Sequence, residues 1–80
     1  MAKTKFRKQL RLGDIYKYIV TGELTPIANL DTICFREGKL FAIVKSCMMY
    51  TFDCITANGT HDEKSLREAV KSINKIISEV

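Results

Sequence analysis

Three features of this 80-residue chain predict an α+β fold, in which a three-stranded antiparallel meander packs on a C-terminal amphipathic helix. Leu66, Ala69, Val70, Ile73, Ile76, Ile77 and Val80 recur at three- and four-residue spacing, the pattern of a helix with one apolar face. Thr32 to Arg36 and Leu40 to Lys45 are rich in strand formers and are joined by Glu37-Gly38, with Lys39 following, which reads as a hairpin. Cys47 to Thr56 is a third apolar stretch of strand length, bounded by Asn58-Gly59, residues that tolerate positive φ.

The chain begins with a basic arm, residues 1–12, ahead of a single domain over 13–80. Met1 to Leu12 holds Lys3, Lys5, Arg7, Lys8 and Arg11 with no acid, while the rest of the chain holds eight cations against nine acids. The net charge of +4 is therefore a local property of one end. The arm alternates: Lys3, Lys5, Arg7, Gln9 and Arg11 share one parity, whereas Phe6, Leu10 and Leu12 share the other with Lys8. An extended segment with that pattern can dock its apolar side on the domain and turn its cations outward. A disordered solubilising tail is the alternative.

From Leu12 to Leu24 the apolar residues at 12, 15, 16, 19 and 20 follow helical spacing. Asp14 suits an N-cap and Gly22 a position just past the C-terminus, so a short helix is expected near Asp14 to Thr21. Ile15, Tyr16, Tyr18, Ile19, Val20 and Thr21 are also strand formers, and Gly13-Asp14 suits a hairpin turn, so a strand remains open there. Pro26 follows where a helix has stopped, and Ile27 to Leu30 reads as an irregular connection. In the strands both alternating faces carry apolar residues: Ile33 and Phe35 against Cys34; Leu40, Ala42 and Val44 against Phe41 and Ile43; Met49 and Ile55 against Met48, Tyr50 and Phe52. One sheet face thus either lacks cover from its own chain or is covered by the short first helix and the arm. The last helix should start near His61 or Asp62, where Thr60 and Glu63 have capping-box spacing. Its polar side places Glu63 to pair with Arg67 and Lys64 with Glu68.

Composition excludes several classes. With 46% hydrophobic and 28% charged residues the chain is that of an ordinary globular domain. No apolar run approaches the roughly 18 residues of a membrane span, and Gly13, Asp14 and Lys17 interrupt any signal-like core. No membrane partner is expected, and Asn58-Gly59-Thr60 reads as a turn. The odd set of Cys34, Cys47 and Cys54 fits reduced thiols and a cytoplasmic location. With His61 these cysteines lack the close pair of a zinc knuckle, so no metal or other cofactor is expected. A nucleophile set of Cys54, His61 and Asp53 is disfavoured because adjacent strand residues diverge. With one histidine, no phosphate-binding glycine loop and no suggestive carboxylate pair, an enzyme is not expected.

The leading expectation is a small non-enzymatic, nucleic-acid-associated protein whose basic arm contacts phosphates through Lys3, Lys5, Arg7, Lys8 and Arg11. Lys39 and Lys45 would add to them if the hairpin tip lies near the arm. Five such cations imply a salt slope of about −4 to −5 on duplex DNA. Tyr16 and Tyr18 lie close enough in sequence to stack on unpaired bases, or else belong to the core. The stretch Ile15 to Ala28, IYKYIVTGELTPIA, resembles the end of a recognition helix running into the wing of excisionase-type DNA-binding domains, and implies a DNA target. The order helix, three strands, helix is similar to that of the double-stranded RNA-binding domain, which implies minor-groove tracking. That family's paired lysines fall here near Asp62, Glu63 and Lys64. The rival expectation is a protein-interaction, dimerisation or inhibitor module, such as a homodimer, acting through an apolar sheet face with Met48, Met49, Tyr50 and Phe52.

Overall fold

The computed structural model describes residues 7–45, 48–54 and 62–79. Its element order is α1 (Leu12–Thr21), β1 (Leu30–Arg36), β2 (Lys39–Val44), β3 (Met48–Asp53) and α2 (Glu63–Glu79), with the strands in sheet order β1-β2-β3 and both pairs antiparallel. The expected α+β meander with a C-terminal helix is the observed fold. Phe6, Cys47, Ile55, Asn58, Gly59, Thr60, His61 and Val80, like Lys3 and Lys5, lie outside the described residues.

The basic segment joins the body from Arg7 onward. Arg7 bridges Ile27 in parallel fashion, with the Ala28 N–H donating to the Arg7 carbonyl at 2.8 Å. Leu10 is buried at 2% exposure and Leu12 packs against the core, so the apolar parity of the arm docks as its alternation implies.

Helix α1 begins at Leu12, two residues before the expected cap. Asp14 sits in its first turn and reaches back, its carboxylate accepting the Arg11 backbone N–H at 2.8 Å while the Asp14 N–H donates to the Arg11 carbonyl at 3.0 Å. One orphan donor is thereby satisfied from inside the helix. The strand-forming residues 15–21 are helical because this spacing buries Ile15 and sets Tyr18 against Phe35, with ring centroids 6.4 Å apart. Gly22 ends the helix as expected, in the left-handed region at φ 74°, its N–H donating to the Tyr18 carbonyl at 2.8 Å.

The hairpin turn runs through Glu37 (φ 51°) and Gly38 (φ 81°). Register places Leu30, Ile33 and Phe35 of β1, Leu40, Ala42 and Val44 of β2, and Met48, Tyr50 and Phe52 of β3 on one face. That face meets Ile15, Leu66, Ala69, Ile73 and Ile77 in a single core. Helix α2 begins after Asp62, whose carboxylate accepts the Lys64 N–H at 3.3 Å and the Ser65 hydroxyl at 2.7 Å, and whose carbonyl takes the Leu66 N–H at 2.9 Å. Each large aliphatic side chain buried from α2 is worth about 1.5–3 kcal/mol before entropy is charged, which makes this helix the main partner of the sheet.

Candidate nucleic-acid interface and the uncovered sheet face

The docked segment is strapped to α2 by one side chain. The Asn74 carboxamide accepts the Leu10 N–H at 2.6 Å and donates back to the Leu10 carbonyl at 3.0 Å. A polar residue beside the buried stripe of α2 thus satisfies both backbone groups of an otherwise unpaired residue. A second tie, from the Asn29 amide to the Ile77 carbonyl at 3.0 Å, caps the far end of α2 against the connection before β1. The strap leaves Lys8 and Arg11 exposed. Lys8 and Lys75 line one open groove of about 590 Å³, together with Asn29, Asn74 and Ser78.

Arg7 does not stand with them. Its guanidinium is paired with Asp14, a carboxylate almost wholly inside, and its Nε is buried with no partner among the described residues. This cation ties the segment to α1 and is engaged within its own chain.

On α2 the sequence reading set Arg67 and Lys64 in pairs with Glu63 and Glu68 and did not single out Lys71 or Lys75. At about 100° per residue, Arg67, Lys71, Lys64 and Lys75 follow Asn74 round the helix within about 100°; the segment docks at the Asn74 end of this flank, and Lys64 lies about 15 Å from it along the axis. All four are exposed. Glu63 binds Arg67 through two hydrogen bonds of 2.8 and 3.1 Å, while Lys64 and Glu68, the second expected pair, do not close. Among the described residues, Lys8, Arg11, Lys64, Lys71 and Lys75 take part in no ion pair. The spacing of 64, 67, 71 and 75 was visible in the chain, but it reads as an ordinary solvated face until the segment is placed beside it.

Lys39 is not brought to this surface. It pairs with Arg36 at the hairpin tip, whereas Arg7 and Ile27 join the opposite end of the sheet at Leu30. Lys45 follows Val44 at the Leu30 end, exposed and in the left-handed region at φ 49°. Tyr18 belongs to the core rim, and Tyr16 is 39% exposed.

The four residues expected to share an apolar surface are divided by the register. Tyr50 and Phe52 pack against the core on the helix side, with Met48 on the same face at the strand's start, whereas Met49 points the other way and is 60% exposed. Met49 is joined on that outer face by Ile43, Phe41 and Cys34, none of which packs against the core. The buried residues of both helices meet the inner face; on the outer one Cys34, Phe41 and Ile43 are half-buried, and Cys34 borders an open cleft with Tyr18 and Ile19 of α1.

Cys54 is buried and free, and its thiol is pushed upward by burial first and then by Asp53 and Asp62, which makes it a poor nucleophile. Among the described residues no three metal-ligating side chains converge, and no helix is long and apolar enough to cross a membrane. No helix precedes α1 among the described residues, so the part of an excisionase-type motif that would come before Ile15 has no counterpart from Arg7 onward. Comparison with protein-family models, with curated proteins and with solved structures finds no match.

Proposed function

We propose that this chain is a non-enzymatic nucleic-acid-binding protein that holds the phosphate backbone along the ridge between its docked basic segment and helix α2. The observation that carries the reading is the Asn74 strap, which holds the segment bearing Lys8 and Arg11 against the turn of α2 next to Lys75, with Lys71 and, further along the axis, Lys64 continuing the same flank. Unpaired cations held on ordered backbone lose less freedom on binding than the same charges on a loose tail. Phosphate contacts of this kind supply affinity and orientation without reading bases, so the protein binds many sequences with similar strength. Lys3 and Lys5 add charge at the end of the segment.

The test is binding of labelled single-stranded and duplex oligonucleotides followed by fluorescence anisotropy at fixed low salt. Lys71→Glu with Lys75→Glu is expected to weaken binding at least about tenfold, since two attractive contacts become repulsive. Lys39→Glu, at the far end of the sheet, is expected to change it little. Equal losses from both variants would reduce the ridge to a non-local effect of net charge and defeat the reading.

A further inference from the structure

We infer that the outer face of the sheet is the contact surface of a homodimer, covered by a second copy of this chain. The register arranges this face in rows across the strands: Thr32, Ile43 and Met49; then Cys34, Phe41 and Thr51; then Arg36, Lys39 and Asp53 at the hairpin end. The first two rows are apolar or uncharged, and the third carries opposite charges at its two ends.

That asymmetry selects the occupant. A two-fold axis parallel to β2 and lying between two facing sheets places β1 of one copy over β3 of the other, with the rows still aligned. Ile43 then meets Ile43 of the second copy, Phe41 meets Phe41, and Met49 lies over Thr32. At the rim Arg36 comes opposite Asp53 of the second copy, and the symmetry makes the pair twice. Arg36 and Asp53 are both exposed, and among the described residues neither is in an ion pair. Lys39, in the middle of this row, comes opposite Lys39 of the second copy, each beside its own Asp53 and with a stem long enough to carry its ammonium past the end of the sheet into solvent. Sheets packed face to face lie about 10 Å apart, within reach of an arginine and an aspartate. A self-complementary patch is what an isologous contact requires.

The footprint fixes the strength. Three strands of about six residues span roughly 14 by 20 Å, well under the ~800 Å² per partner of a standard stable interface. The dimer therefore dissociates on dilution.

Sedimentation equilibrium of the full chain, without nucleic acid and over a hundredfold range of concentration, tests this apart from any phosphate binding. The wild type is expected to pass from monomer to dimer, and Ile43→Glu to remain monomeric while still unfolding cooperatively. Met49→Glu repeats the test at a position with no core contact to lose. Arg36→Asp should weaken the dimer at least about tenfold by setting like charges opposite, and adding Asp53→Arg should restore it. A wild type that stays monomeric throughout, a folded Met49→Glu that dimerises as before, or a charge exchange that restores nothing would overturn the proposal.

Discussion

Asp14 shows how far one side chain reaches beyond its place in the sequence. Its carboxylate closes the first turn of α1 onto the Arg11 N–H and also holds the Arg7 guanidinium. Its loss thus removes a helix cap and one anchor of the basic segment together. Asp14→Ala is expected to cost about 1–3 kcal/mol in urea unfolding, and a variant as stable as the wild type would show that neither contact matters. An aspartate near a helix start is legible as a capping residue, but Asp14, expected at the N-cap itself, is the third residue of the helix and caps back onto Arg11. That the helix would begin at Leu12 was not legible, because the pull comes from Arg7 and from the burial of Leu10, neither of which is local to the turn. Asn74 was invisible for a related reason: an asparagine on a helix flank signals nothing until a backbone segment 64 residues away in the chain needs its amide. The buried Leu10 also means that deleting the whole arm tests folding before it tests binding.

At the scale of elements, the two glycines of α1 separate propensity from capping. Gly13 lies in the helix and Gly22 at its end with φ 74°, and a Cβ at either meets nothing within 4 Å. Only backbone conformation then decides the outcome. Gly13→Ala is expected to raise stability by about 0.5 kcal/mol, and Gly22→Ala to lower it by about 1 kcal/mol. Thermal or urea unfolding of the two variants checks this, and a stabilising Gly22→Ala would refute the left-handed cap. Helix α2 was the most legible element, since its apolar spacing runs unbroken from Leu66 to Ile77. Helix α1 was ambiguous because Ile15 to Thr21 is built of strand formers, and tertiary contact through Ile15 and Tyr18 decides in favour of helix. The sheet was legible as strands and as a meander, with apolar residues on both faces. Which of them faced the core was not, since a slip of one residue exchanges the faces. Pairing of Val44 with Met48 turns Tyr50 and Phe52 inward and leaves Met49 outside.

The molecule as a whole is two-sided. One side of the sheet meets the buried residues of both helices and carries the basic ridge, and the other carries the outer apolar rows. A dimer formed through the second side leaves both ridges on its outer surfaces, facing away from each other, so that one dimer can hold two nucleic-acid segments. The charge excess at the start of the chain was legible, but its geometry was not. The segment is docked from Arg7 onward, Arg7 is engaged with Asp14, and further exposed cations lie on α2. The most direct measurement is therefore the dependence of nucleic-acid affinity on salt, in the wild type and in Lys71→Gln with Lys75→Gln. With Lys8, Arg11, Lys64, Lys71 and Lys75 on phosphates, the ridge alone implies a slope of log K on log salt near −4 on duplex DNA, and the double substitution should reduce it by about 2. An unchanged slope in that variant would contradict the assignment of the ridge as the surface that meets phosphate.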